Sequence, residues 1–243
     1  SNSLLGTTGY QAYISEFVAT VPVPILSFDH YPTAMGFLDE GVYTNLEIVA
    51  AAGKSAGRPF WGFYQATRQG TATTIQPPRT LAEFRVECFN NLVYGAQCIQ
   101  AYTYWETFGD DREAPINRLG ERTATYGTRP FSPHGAVSSL TFLSAVGLRS
   151  AIVSYFTSAG SDYVAIVNKD IDHSVTVNLS FANETVITEI RKDDADRTAK
   201  SGDFQIEAGD ILIFKSRVVP ANMSPTVTLT CSTNGTEGVP MSM

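Results

Sequence analysis

The sequence predicts an α/β half followed by an all-β half. Up to about Tyr126, helical periodicity alternates with short apolar strands, which is the pattern of βα units. From about Ala151 onward, short strands with alternating apolar residues are separated by turn-rich spacers, which indicates an antiparallel sandwich. Hydrophobic residues make up 43% and charged residues 17% of the 243 residues, which is enough apolar material for packed cores.

Three helices and three strands alternate in the predicted first half. The first helix runs from Tyr10 to Val18, and Pro22 and Pro24 end it because proline cannot continue a helix. The elements that follow are a strand from Val23 to Phe28, a helix from Val42 to Lys54, a strand from Pro59 to Tyr64, a helix from Leu81 to Leu92 and a strand from Cys98 to Tyr104. This order argues for a parallel sheet covered by helices.

The helix that begins at Leu81 carries the clearest local signals. Thr80 and Glu83 have the spacing of a capping box, in which each side chain accepts a hydrogen bond from the backbone amide of the other residue. Cys88 falls on the apolar stripe of this helix, where a buried free thiol is expected. Gly95 is placed to end the helix.

Period-two patterns predict five strands in the second half. They are Ile152 to Phe156, Tyr163 to Asn168, Val175 to Phe181, Val186 to Ile190 and Ile211 to Phe214. The chain after Lys215 is polar and weakly patterned, so two interpretations stay open for it, an extra strand or a loose tail.

Charge and composition exclude several classes of partner. The net charge is −7 and no cluster of Lys and Arg is present to neutralise phosphates, so no nucleic-acid partner is expected. No apolar run approaches the roughly 20 residues that span a bilayer, so no membrane span is expected. The acidic balance is common in secreted and periplasmic proteins and favours that location.

Metal and cofactor motifs are not found in the sequence. Cys88, Cys98 and Cys231 form no metal-ligand spacing, and the three histidines are too scattered to suggest a metal. Phosphate-binding glycine loops and the common zinc and serine-hydrolase motifs are also lacking. The expectation is therefore no metal and no cofactor.

Seven segments in order resemble a known family; two are Thr80-Leu-Ala-Glu-Phe-Arg85 and Asn91-Leu-Val-Tyr-Gly-Ala96, and the other five contain predicted strands. They are Ile25-Leu-Ser-Phe-Asp-His-Tyr-Pro32, Arg58-Pro-Phe-Trp-Gly-Phe-Tyr-Gln65, Ala101-Tyr-Thr-Tyr-Trp105, Tyr163-Val-Ala-Ile-Val-Asn168 and Glu207-Ala-Gly-Asp-Ile-Leu-Ile-Phe214. The first three resemble strands six, seven and eight of glycoside hydrolases of (β/α)₈-barrel (TIM-barrel) type, including β-galactosidase-like bacterial proteins. The last two are similar to the β-sandwich that often follows such barrels. The resemblance spans roughly Tyr10 to Lys215.

The resemblance implies a domain organisation and a carbohydrate partner. Residues 1–135 would form the C-terminal half of a barrel, residues 136–217 a β-sandwich domain, and residues 218–243 a polar tail or extra strand. The N-terminal half of the barrel would then be a partner in completing the fold. The function implied is hydrolysis or binding of a poly- or oligosaccharide.

Candidate site residues follow from the rule that barrel active sites lie at the carboxyl ends of the strands. The catalytic candidates are Asp29 and Glu106. The candidates for substrate binding are polar groups for hydroxyls and flat rings for sugar faces: His30, Tyr31, Trp61, Tyr64, Gln65, Tyr102 and Trp105. Other roles stay open, namely a turn cap for Asp29, a core position for Trp61 and a surface loop for Glu106.

Two departures from the family bear on activity. The family's acid/base Glu follows strand four, which the resemblance does not cover, and its nucleophilic Glu ends strand seven, where this chain has Tyr64 or Gln65. We therefore expect the chain alone to be inactive as a glycosidase. The alternatives are a non-catalytic sugar-binding relative that has lost the nucleophile, and a structural subunit that completes its barrel with another chain.

Overall fold

A parallel three-stranded sheet organises the first half of the chain. The computed structural model describes residues 7–34, 37–65, 80–102, 140–158, 160–180, 186–192, 195–217, 227–232 and 236–241. Strands β1 (Leu26–Phe28), β2 (Phe60–Gln65) and β3 (Cys98–Tyr102) pair in the order β1-β2-β3, and both pairings are parallel. The predicted parallel pairing is confirmed.

Strand β1 is shorter than predicted. The sequence indicated a strand from Val23, whereas pairing begins at Leu26. Pro22 and Pro24 have no backbone N–H to donate to a ladder, which explains why the apolar residues between them do not join the sheet.

In the described ranges, three helices accompany the sheet: α1 (Tyr10–Thr20), α2 (Gly41–Ala56) and α3 (Leu81–Val93). Apolar residues of α2 and α3 share one buried cluster with residues of all three strands. The predicted capping box is confirmed, with Thr80 N donating to Glu83 Oε2 at 2.7 Å and Glu83 N donating to Thr80 Oγ1 at 3.1 Å. None of the helices in the described ranges is long and apolar enough to cross a membrane.

Two antiparallel sheets form the second half. One has six strands in the order β4-β5-β6-β11-β8-β9 and the other has four in the order β10-β7-β12-β13. Their bounds are β4 Thr141–Gly147, β5 Ala151–Ser158, β6 Ser161–Asn168, β7 Val175–Ser180, β8 Ile187–Ile190, β9 Arg197–Ala199, β10 Gly202–Ile206, β11 Ile211–Arg217, β12 Val227–Ser232 and β13 Thr236–Met241.

The structure contains strands that the sequence pattern did not predict. Strands β4 and β9 lie at the two edges of the six-stranded sheet, where few side chains are buried and no clean alternation arises. Strands β12 and β13 come from the polar tail, and β12 pairs with β7 beside it. The tail therefore contributes two strands to the four-stranded sheet.

The six-stranded sheet is apolar on both faces. One face, with Val153 and Ile166 at its centre, packs against the four-stranded sheet. The other, with Ile152 and Ile213, joins the buried cluster that contains α2 and α3. Helix α3 is thus packed between the parallel sheet and the six-stranded sheet, and 11 of its 13 residues are buried.

Charged side chains hold α3 to the turn before β11. Arg85 Nη1 donates to Glu207 Oε2 at 2.9 Å and lies 3.2 Å from Asp210 Oδ2. Lys192 Nζ donates to both oxygens of Asp210, and burial lowers the pKa of this lysine although the carboxylate opposes the change. The hydrogen bond from Arg85 lowers the pKa of Glu207. These groups give the junction a paired set of charges.

Gly209 allows the closest backbone approach at this junction. Its φ of +65° is in the left-handed region, and a Cβ there would overlap the carbonyl oxygen of Ala82 at the start of α3. Gly57, at the end of α2, has almost the same φ of +63°, but a Cβ there would meet nothing within 4 Å.

We predict that Gly209→Ala destabilises the protein much more than Gly57→Ala. Both substitutions place a side chain in the left-handed region, at a cost of about 1–2 kcal/mol. Only Gly209→Ala also forces α3 away from the turn, which adds about 1–3 kcal/mol for the overlap. Urea unfolding of the two variants measures the difference. Equal losses would show that α3 does not approach the turn as closely as the structure indicates.

Candidate functional site

The two faces of the parallel sheet differ in chemistry. Leu26, Phe28, Phe60 and Tyr64 belong to the buried cluster under the helices. Because side chains alternate along a strand, the residues between them point to the opposite face. These are Ser27 on β1, Trp61 and Phe63 on β2, and Gln100 and Tyr102 on β3. Gln100 Nε2 donates to Ser27 Oγ at 3.3 Å across this face.

Asp29, His30 and Tyr31 follow β1 directly, at the carboxyl end of the sheet. Asp29 is exposed and His30 is half-buried. The Asn45 amide donates to His30 Nδ1 at 3.1 Å, so this nitrogen must be the acceptor and the proton lies on Nε2. His30 Nε2 then donates to Asp39 Oδ2, also at 3.1 Å.

Both ring nitrogens of His30 are therefore engaged within the protein. Asn45 lies on α2 and Asp39 just before it, so His30 links the end of β1 to the start of this helix. A hydrogen bond from His30 to a ligand would require one of these two bonds to break. The substrate-binding role of His30 stays a prediction, and its present contacts orient the loop.

Tyr31 and Tyr102 bring two rings together across the end of the sheet. Their ring centroids are 5.6 Å apart with planes inclined at 43°, and Tyr102 is 42% exposed. The Tyr31 hydroxyl oxygen is buried and has no hydrogen-bond partner among the described residues. Burial, followed by the nearby charge of Asp29, raises the pKa of Tyr31, so the hydroxyl keeps its proton and can donate it.

At the end of β2, Tyr64 and Gln65 point to different sides. The Tyr64 ring packs edge-on against Phe84 of α3 at a centroid distance of 5.1 Å, on the helix-facing side. Gln65 alternates to the side of Trp61 but is only 1% exposed. Neither side chain is a carboxylate, so this position holds no acid.

Glu87 of α3 is a site residue that the sequence reasoning missed. Its Oε1 accepts a hydrogen bond from Thr33 Oγ1 at 2.7 Å, and its Oε2 accepts one from Gln65 N at 2.8 Å. The carboxylate is 1% exposed and lies beside the carboxyl ends of β1 and β2. The sequence pattern hides it, because Glu87 shares one helical stripe with the polar residues Glu83, Asn90 and Asn91.

Two of the predicted site residues, Trp105 and Glu106, lie outside the described residues. Of the others, the structure places Asp29, Tyr31 and Tyr102 at one end of the sheet, with Trp61 on the same face further from that end. In the described ranges, no three His, Cys, Asp or Glu side chains converge as metal ligands would.

Comparison with known proteins gives distant structural neighbours. No protein-family model matches the chain, and no curated protein sequence matches it. An α-amylase from Geobacillus thermoleovorans aligns over 86% of this chain and 57% of its own, with 8% identity and a TM-score of 0.44. A GH30 endoxylanase from Clostridium papyrosolvens aligns over 86% and 60%, with 12% identity and a TM-score of 0.35. A maltogenic α-amylase from Thermotoga neapolitana aligns over 88% and 60%, with 9% identity and a TM-score of 0.42.

These neighbours are glycoside hydrolases, and the chain spans less than two thirds of the length of each. With TM-scores below 0.5, the likeness is a distant one. The reaction and the ligand of this chain therefore have to be inferred from its own residues.

We predict that Asp39 makes stability depend on pH in the acid range. The Gly41 amide, followed by His30, lowers the pKa of this carboxyl group. A lowered pKa in the folded state means that the stabilisation is present above the unfolded pKa of about 4 and is lost as the pH falls below it. Asp39→Asn should therefore be less stable than the wild type at pH 6, and this difference should shrink toward pH 2.

Urea unfolding between pH 2 and 6 measures this difference. The matched control is Asp172→Asn, which removes an exposed carboxylate whose side chain makes no hydrogen bond to the described residues. A stability difference for Asp39→Asn that stays constant with pH, or equals that of the control, would contradict the prediction.

Proposed function

We propose that this chain is a carbohydrate-active protein of glycoside-hydrolase type. On this proposal β1, β2 and β3 are strands six to eight of a (β/α)₈ barrel, and a saccharide binds at their carboxyl ends. On the same proposal the remaining strands are supplied by a partner, the N-terminal half of the barrel. Among the described strands, β1 and β3 each pair on one side only, which leaves an edge at which further barrel strands would join.

One observation carries the proposal. The face of the sheet that points away from α2 and α3 bears polar and aromatic side chains instead of the aliphatic residues of a core. In a barrel this face is the interior, and its carboxyl end is where ligands bind. The residue types suit a sugar, because rings stack on its C–H faces while carboxylate, amide and hydroxyl groups bind its hydroxyls.

The exposed Asp29, the buried Tyr31 hydroxyl and the half-exposed Tyr102 ring supply these three kinds of contact at one end. Tyr31 and Tyr102 already touch, so a ring bound there would meet a formed aromatic surface. The Tyr31 hydroxyl is a donor that a sugar oxygen could satisfy.

A second candidate function is sugar binding without hydrolysis. Retaining cleavage needs two carboxyl groups about 5 Å apart, one attacking and one protonating. Gln65 stands where the resembled family has its nucleophile, and its side chain is buried. This arrangement favours a site that binds a saccharide and has lost the attacking group.

We predict that the protein binds a saccharide and that Tyr102→Ala weakens this binding. Loss of one stacking ring should raise the Kd about fivefold, equivalent to ~1 kcal/mol. A glycan array identifies the ligand and isothermal titration measures the Kd. Leu143→Ala is the matched control, because Leu143 on β4 is 40% exposed, close to the 42% of Tyr102. An array with no bound glycan, or equal effects of the two substitutions, would refute this site.

We also predict that the 243-residue chain hydrolyses no aryl glycoside at a useful rate. The physical reason is that acid/base groups contribute about 10²–10⁴-fold each, and the end of β2 offers no carboxylate. The assay is a panel of aryl glycosides with the wild type, Asp29→Asn and Glu106→Gln. Turnover that disappears in either variant would contradict the prediction and make that residue catalytic.

A further inference from the structure

The carboxylate of Glu87 contacts two other segments at once. It projects from the middle of α3, accepts the Thr33 hydroxyl through one oxygen and accepts the Gln65 backbone amide through the other. Thr33 belongs to the loop after β1, two residues beyond Tyr31, and Gln65 ends β2. One buried side chain therefore joins α3, β2 and the loop that carries Asp29, His30 and Tyr31.

The next turn of α3 adds a second polar contact to β2. Asn91 Nδ2 donates to the Phe63 carbonyl at 3.1 Å and to the Glu87 carbonyl at 2.8 Å. The helix approaches so closely here that a Cβ on Gly62 would overlap the Asn91 side chain. Two successive turns of α3 are thus bonded to β2. Because Glu87 also binds Thr33, the loop after β1 is held in a fixed position relative to this helix.

The chemistry of Glu87 suits the Thr33 hydroxyl and the Gln65 amide. A backbone N–H can only donate, so the group facing Gln65 must be an acceptor, whereas the Thr33 hydroxyl both donates and accepts. A glutamine at position 87 could satisfy both partners: its side-chain oxygen would accept from the Gln65 amide, and its NH₂ group would donate to the Thr33 hydroxyl. An apolar side chain of similar length leaves two buried donors without acceptors.

We propose that Glu87 is a positioning residue for the candidate site, which holds the loop of residues 29–33 against the end of β2. Thr33 lies two residues beyond Tyr31, whose ring contacts Tyr102 across the sheet. The position of this loop relative to the end of β2 is then set from the helix side of the sheet, by a residue that does not contact the ligand. The sugar-binding consequence rests on the proposed function, whereas the positioning itself does not.

The experiment compares three substitutions at this contact with one control. Glu87→Met removes both acceptors, Glu87→Gln keeps both hydrogen bonds, and Thr33→Val removes only the contact to the loop. The control is Ser154→Ala, because the buried Ser154 hydroxyl donates to the Val93 carbonyl at the other end of α3. Each protein is studied by NMR, through amide exchange of Gln65 relative to the other β2 amides and through the ring signals of Tyr31.

We expect the Gln65 amide to exchange at least about tenfold faster in Glu87→Met, and at the wild-type rate in Glu87→Gln, Thr33→Val and Ser154→Ala. The Tyr31 ring signals should shift in Glu87→Met and Thr33→Val and stay in place in the other two proteins. If Glu87→Met fails to fold, the Tyr31 ring signals of Thr33→Val test the positioning role of Glu87 on their own. Tyr31 signals that are unchanged in Thr33→Val, or that move equally in Ser154→Ala, would overturn the proposal.

A binding arm separates this inference from the proposed function. With lactose as the probe, we expect the Kd to rise about tenfold in Thr33→Val and to be unchanged in Glu87→Gln and Ser154→Ala. If the wild type binds neither lactose nor any glycan of the array but the NMR results are as expected, the sugar assignment fails while the positioning role of Glu87 stands. Equal Kd values for wild type and Thr33→Val, with the NMR changes present, would show that the loop position does not control binding.

Discussion

The burial of α3 between two sheets is the constraint on which the rest of the structure depends. Most of its residues are buried, including polar ones that an ordinary surface helix would present to water. Each such group needs a partner inside the protein, because an unpaired buried polar group costs about 1–3 kcal/mol. The partners of Arg85, Glu87 and Asn91 lie in the turn before β11, the loop after β1 and strand β2.

These contacts of α3 position the strand ends and the loop that form the candidate site. At the carboxyl ends of the strands, the Gln65 amide and the Thr33 hydroxyl bind α3. On its other side, α3 binds the six-stranded sheet through Ser154 and the charged groups around Asp210. Helix α2 also contacts this sheet, since Nζ of Lys169, directly after β6, lies 4.3 Å from the centroid of the Tyr43 ring. In the part of the chain that the structure describes, the sandwich contacts α3 and contributes no side chain to the candidate site.

Much of the fold could be predicted from the sequence where the apolar pattern is strong. The alternation of helices and strands, the Thr80–Glu83 capping box and the parallel order of β1 to β3 all follow from local residues. The edge strands β4 and β9 could not be found, because burial at an edge is too weak to produce alternation. Strand β12 pairs with β7 and β13 pairs with β12, and no local pattern in a polar tail reveals these pairings.

The site was less predictable than the fold, for a physical reason. The rule that ligands bind at strand ends selects Asp29, Tyr31 and Tyr102, and the structure places them at one end. The rule does not say which of two neighbouring strand residues faces the helices. Tyr64 was therefore predicted as a site residue together with Gln65, although its ring packs on Phe84 of α3. Glu87 was missed because its partners are 54 and 22 residues away in the chain, and no periodicity connects them.

The second apolar face of the six-stranded sheet has a consequence for how such a protein can change over evolution. Ile152, Phe156 and Ile213 fill the cluster under α3, so they are as much part of the helical half as of the sandwich. A sandwich of this kind cannot be exchanged between proteins as an independent module. Its removal would expose the apolar residues of α2 and α3 to water, together with those of the sheet that covers them. We therefore expect the helix and the sheet that covers it to be inherited together.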